Sequence, residues 1–337
     1  MKRITCWLLL TLATLSVLLF AVSGCRSTTA VTLEHTEQER EQCVDEMEPL
    51  SPVALSDGAK LQVIATTSIV ADVVRNIGGD LIDLTMLMPL GTDPHTFDPT
   101  PRDVAAVADS HVVFVNGAGL EEFLEPLLES AGEDVIVVSV SCGVELVQFK
   151  DEHEEGDGRH QGGVDPHTWF DPNNVMVWTR NVEHALSALD PDNAGAYEAN
   201  AKTYQAELEA LDAWIHEQFA QVPEANRRLV TDHTWLSYLA HRYGFTQVGA
   251  VFPGYSTLAE PSAQELAALE DAIREFGVQA IFVSMAVNPG LAQRVADDTG
   301  TRLISLYTAS LSEPGGPADD YLSLMRYNVA AIAGALH

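Results

Sequence analysis

The sequence predicts an α/β fold of two lobes, each a mainly parallel sheet with flanking helices, joined by one long rigid helix. Three observations predict it. Short apolar runs alternate with helical patterns from residue 61 onward, the rhythm of a parallel sheet covered by helices. The same rhythm returns after residue 228. Between the two stretches lies one uninterrupted amphipathic pattern, residues 192–220.

In the first stretch, residues 61–66 (LQVIAT) read as a strand, and Ser68 opens a helix that Gly78 and Gly79 stop. Residues 81–88 are a strand, 101–109 a helix, 111–116 (HVVFVN) a strand, 120–130 a helix and 134–140 (DVIVVSV) a strand. In the central pattern Tyr197, Ala201, Tyr204, Leu208, Leu211, Ile215 and Phe219 recur at spacings of three and four, so they share one helix face. No proline interrupts it, Asp192 or Asn193 can cap it, and at 1.5 Å per residue it is a rod of roughly 40 Å. The second stretch gives a strand from 228, a helix over 235–243, a strand over 246–251, a helix over 262–276, a strand over 280–283, a helix over 290–299, a strand over 302–306 and a final helix over 318–336. The expected segments are 1–25 as an export signal, 26–57 as a tether, 58–190 as the first lobe, 191–221 as the linker helix and 222–337 as the second lobe.

Charge narrows the function. The 337 residues hold 18 Lys and Arg against 49 Asp and Glu, a formal net charge of −31. A nucleic-acid partner needs a basic face, and the sequence supplies none. The same acidity disfavours attraction to an anionic bilayer, whereas cations suit such a chain. The four cysteines form no CxxC pair, which excludes a zinc knuckle or a thioredoxin-like motif.

The N-terminus reads as an address. Lys2 and Arg3 precede an apolar run over 7–22, followed by Val22-Ser23-Gly24-Cys25. With cysteine at the cleavage point, this resembles a bacterial lipoprotein signal, which implies that Cys25 becomes the lipidated first residue. Several acyl chains there would anchor the protein firmly to a membrane. Residues 26–57, rich in Glu, Thr, Ser and Gln, read as a solvated tether that includes His35 and Cys43. Cys43 and Cys142 are the two cysteines left to form a disulfide in an oxidising compartment.

The chemistry concentrates in an internal echo. Asp93-Pro94-His95-Thr96-Phe97-Asp98-Pro99 nearly repeats as Asp165-Pro166-His167-Thr168-Trp169-Phe170-Asp171-Pro172, and a third histidine stands in Thr231-Asp232-His233-Thr234-Trp235. His95 and His233 are read as lying just beyond strand ends, where open α/β sheets bind ligands; His167 follows a loop. Neutral imidazoles from separate loops can define three corners of a zinc tetrahedron. Asp93, Asp98, Asp165, Asp171 and Asp232 are close enough in sequence to orient the rings. The prolines stiffen these loops ahead of metal binding.

These residues resemble a known family, the metal-binding lipoproteins of bacterial ABC importers that carry zinc or manganese. The marks are residues 66–72 (TTSIVAD), 89–101 around His95, DPHTWFDP around His167, residues 232–245, and 306–328 (LYTASLSEPGGPADDYLSLMRYN); the resemblance covers about 61–336. It implies metal between two lobes, His95, His167 and His233 as ligands, an ABC permease as partner, and a place on the outer face of the cytoplasmic membrane or in the periplasm. A monomer is expected. Manganese-type members carry glutamate where His233 stands, so the nitrogen-rich set tilts the reading to Zn2+ over Mn2+. Alanine at 309 stands where many members have an aspartate ligand, which leaves the fourth corner to water or to Glu260 or Glu313. Residues 150–163 (KDEHEEGDGRHQGG) resemble the metal-collecting loop of zinc-type relatives, and equally fit a solvated charged loop.

Two other classes fit parts of the pattern. Three histidines with an open corner also describe a hydrolytic zinc site, but HExxH, GxSxG and an assignable general base are absent. A surface adhesin would need no metal at all. A carrier that makes and breaks no bond is the expected function, with affinity falling below about pH 6 as the imidazoles protonate.

Overall fold

The structure is a computed structural model, which describes residues 50–56, 58–132, 135–148 and 163–337. Strands β1 (Leu61–Ala65), β2 (Ile82–Met86), β3 (Val112–Val115) and β4 (Val137–Ser139) form one sheet in the order β2-β1-β3-β4. Strands β5 (Arg228–Thr231), β6 (Thr246–Ala250), β7 (Ala280–Ser284) and β8 (Arg302–Leu306) form the other, in the order β6-β5-β7-β8. Every pairing is parallel. The two sheets thus repeat one topology, and each reverses its winding between its first and third strands. The crevice beyond that reversal is where such sheets bind ligands.

Nine α-helices complete the described residues: α1 (Ser68–Gly78), α2 (Pro101–Ala108), α3 (Leu124–Ala131), α4 (Pro172–Leu189), α5 (Ala194–Phe219), α6 (Ser237–Tyr243), α7 (Ala263–Phe276), α8 (Gly290–Thr299) and α9 (Tyr321–Leu336). Several starts are chemically marked. Thr67 accepts the N–H of Val70. Ser262 and Glu265 form a reciprocal capping box. Asp171 and Asp320 accept N–H groups at the starts of α4 and α9.

Strand alternation explains the core. Val112 and Phe114 of β3 face one large apolar cluster, while Val113 and Val115 face a smaller one with Ile64, Val107 and Leu127. In β7, Ala280 and Phe282 face the large cluster, while Ile281 and Val283 join Leu269, Ile273 and Val295. The large cluster is shared by both sheets and by α1, α4, α5, α6 and α9. A common apolar core of this extent opposes free hinging, because opening it would expose that surface to water.

Helix α5 buries the seven residues its period marks: Tyr197, Ala201, Tyr204, Leu208, Leu211, Ile215 and Phe219. It is 26 residues, about 39 Å. It is also packed along α4 and against α1 and α9, so it is the spine of the shared core rather than an isolated connecting rod. Its start lacks the expected side-chain cap. Asp190 instead accepts bonds from Asn193 (2.7 Å) and Tyr197 (2.8 Å).

Most elements differ from the sequence expectation by a residue or two at their ends, and three differences are instructive. The strand expected over 134–140 shortens to Val137–Ser139. The helix expected from 120 begins at Leu124, because residues 117–121 turn back on the end of β3. The last helix starts at Tyr321, where Asp320 caps it. Cys142 is disulfide-bonded. The other three cysteines, and with them the signal, Cys25, nearly all of the tether and residues 150–162 of the acidic stretch, lie outside the described residues. Among the described residues, no helix is long and apolar enough to cross a membrane.

Candidate metal centre

His233 stands two residues beyond β5, the central strand at the reversal of the second sheet. Asp232 holds it there. One carboxylate oxygen accepts the His233 backbone N–H (2.7 Å), its ring Nδ1–H (2.9 Å) and the Trp235 indole N–H (2.8 Å); the other accepts the Ser284 N–H (2.6 Å) at the end of β7. Burial alone would raise the Asp232 pKa, but these donors, His233 foremost, leave it below the usual carboxylate range.

The Asp-Pro-His echo proves to be one local device used twice. Two residues ahead of each histidine the aspartate accepts the histidine's backbone N–H, Asp93 at 3.1 Å and Asp165 at 2.9 Å. The rings then diverge. Asp165 also accepts Nδ1–H of His167 at 2.8 Å, which fixes that tautomer and turns Nε2 outward. Asp93 instead gives its other oxygen to the Thr257 hydroxyl (2.6 Å), which ties the His95 turn to the segment after β6.

The three imidazoles converge. Their ring centroids are 5.2–5.5 Å apart. One ligand atom from each lies within 4.8 Å of the others, and among the described residues no other such group of His, Cys, Asp or Glu occurs. His95 is 8% exposed, His167 1% and His233 3%. Nε2 of His95 lies 3.3 Å from Nε2 of His167. Two nitrogens bound tetrahedrally to one zinc at 2.0–2.1 Å stand roughly 3.3–3.4 Å apart. Burial, reinforced by the neighbouring imidazoles, pushes His95 down to about 2. Burial also lowers His167, against the opposing pull of Asp165. Proton competition at these two rings therefore sets in below the pH 6 expected from an unperturbed imidazole.

Other residues expected to act here do not. Glu260 and Glu313 are exposed and stand outside the cluster. Asp98 is exposed, and Asp171 caps α4 beside Arg242. Conversely, Thr257 and Tyr238 carry no legible sequence signal. The Tyr238 hydroxyl, on α6, donates to the Asp165 carbonyl (2.7 Å) and accepts the Val147 N–H (3.2 Å), which pins the His167 loop to the second lobe.

Comparisons with known proteins bear on this geometry. Residues 63–335 match the family described as zinc-uptake complex component A, periplasmic. The chain belongs to that family. It is a metal-binding substrate-binding protein of an ABC importer. It is 34% identical over 281 residues to the manganese-binding lipoprotein of Halalkalibacterium halodurans, covering 83% of this chain and 90% of the relative. It is 32% identical to the manganese ABC transporter substrate-binding lipoprotein of Streptococcus pneumoniae, with 83% and 91% covered. Among solved structures it is similar to the periplasmic zinc-binding protein of Treponema pallidum (TM-score 0.74, 26% identity, 82% and 99% covered). It is also similar to a manganese-bound variant of the periplasmic metal-binding protein of Candidatus Liberibacter asiaticus (TM-score 0.73, 28% identity, 83% and 100% covered). The two-lobed parallel fold is thus that of its family.

Proposed function

We propose that this protein captures Zn(II) outside the cytoplasmic membrane, through His95, His167 and His233, and hands it to an ABC permease while tethered by a lipid on Cys25. The observation that carries the metal is the all-imidazole donor set. Two of its rings have Nδ1 committed to buried carboxylates, so neutral Nε2 lone pairs are what the site offers a cation. Nitrogen donors suit zinc, while manganese prefers oxygen. The Nε2 separation of 3.3 Å suits a tetrahedral ion. Water in the fourth position completes the shell, since Ala309 supplies no donor. Capture and release make and break only the coordinate bonds between the imidazoles and the ion, and no covalent bond changes, so the proposed function is carriage rather than catalysis.

Manganese is the second reading, favoured by the names of the relatives from Halalkalibacterium halodurans and Streptococcus pneumoniae. Elemental analysis of the protein as purified, repeated for His233→Glu, separates the two. Zinc in the native protein and a larger manganese share in the variant are the expected results. Manganese in the native protein, unchanged by His233→Glu, would overturn the zinc reading.

A further inference from the structure

Glu121 is a buried carboxylate to which metal carriage as described above assigns no task. It lies at the reversal of the first sheet, where β1 and β3 end. One oxygen accepts the Thr66 hydroxyl (2.7 Å) and the Asn116 N–H (2.6 Å); the other accepts the Gly117 N–H (3.0 Å). In the second sheet Asp232 bridges the corresponding reversal from the other side: it follows β5, accepts the Ser284 N–H at the end of β7, and orients His233 directly. Each reversal thus holds one buried carboxylate that bridges its two strands.

None of these bonds is to a histidine, but the groups Glu121 holds lead to two of them. The Asn116 side-chain amide donates to the carbonyl of Pro166 (2.9 Å), immediately before His167. The Thr66 carbonyl accepts the Met88 N–H (3.0 Å), where the chain leaves β2 for the His95 turn. The backbone is bent to allow this. Gly117, Ala118 and Gly119 all have positive φ (76°, 53° and 81°), and Ala118 is the one non-glycine residue so placed among the described residues. A Cβ on Gly117 would stand 1.9 Å from the Ser139 hydroxyl oxygen. The turn brings Glu121 back over the end of its own strand.

We infer that Glu121 is a positioning residue that sets His167 against His95, by clamping the ends of β1 and β3 and, through Asn116, the Pro166 carbonyl. The inference rests on the reading of these histidines as metal ligands.

The test compares the native protein with Glu121→Gln, Asn116→Ala and the double variant. Glutamine keeps the shape but turns an amide NH2 toward the Gly117 N–H, donor against donor. Zn(II) and Co(II) affinities are measured by chelator competition, the Co(II) absorption spectrum reports coordination geometry, and metal-free melting is followed in parallel. Each single variant is expected to weaken metal binding by about 10- to 100-fold and to alter the Co(II) spectrum. The double variant should be no weaker than the worse single one, because both break the same link. A folded Glu121→Gln protein with native affinity and spectrum overturns the inference, even if it melts lower, and so do penalties that multiply in the double variant. If Glu121→Gln does not fold, native affinity and spectrum in Asn116→Ala overturn it alone. Failure of the native protein to bind either metal overturns the ligand reading itself, which is a separate result.

Discussion

His95→Ala is expected to weaken metal binding by 10²- to 10³-fold or more and to erase most of the metal-induced rise in melting temperature. Structural zinc sites contribute about 10–16 kcal/mol in all, so one imidazole of three accounts for roughly 3–5 kcal/mol. His95 is the most informative of the three to remove. Its aspartate, Asp93, binds the backbone N–H and the Thr257 hydroxyl rather than the ring, so the turn keeps its hydrogen bonds. His167→Ala should cost as much affinity but also destabilise the metal-free protein, because Asp165, with no exposed surface, loses its ring partner. Calorimetric titration and melting with and without Zn(II) check both. Retained affinity in His95→Ala would remove that ring from the site.

Metal-free stability should fall in acid faster in the native protein than in His95→Gln. The native state holds the His95 ring neutral, near pKa 2, while the unfolded chain has an ordinary imidazole near 6.5. Below that unfolded value the unfolded state binds the extra proton, so stability drops with falling pH. Between pH 7.5 and 5.5 the His95 share is about 1.4 kcal/mol. His167, also lowered, adds in the same direction. Asp72 works oppositely. Burial raises it to about 6, against the bond it accepts from the Tyr321 N–H. The native state therefore takes up a proton there first, which returns about 1 kcal/mol over the same range. Urea unfolding of metal-free native protein, His95→Gln and Asp72→Asn across this range separates the shares. His95→Gln should show the shallower loss and Asp72→Asn the steeper. Parallel curves for native protein and His95→Gln would mean that the ring is not held neutral.

Much of this protein could be read along the chain. Short apolar runs located the eight strands, because the central strands of a covered parallel sheet are buried on both faces, and the 3.6-residue period located the buried face of α5. The echo around His95 and His167 was legible for a similar reason: an aspartate two residues before a histidine makes its bond to the backbone within the same turn. That each sheet is parallel followed from strands alternating with helices, whereas the order of the strands is seen only in the folded chain.

Tertiary structure alone decided the rest. That three rings separated by 72 and 66 positions meet with ligand atoms within 4.8 Å depends on how two sheets close over one shared core. So do the partners of the rings: Asp93 turns to Thr257 while Asp165, in the same motif, turns to its own histidine. Tyr238 and Glu121 act on residues 73 and 55 positions away along the chain. Local sequence encodes conformation over a turn or two, but coordination requires separate segments placed within tenths of an ångström of one another, and only the packed interior supplies that.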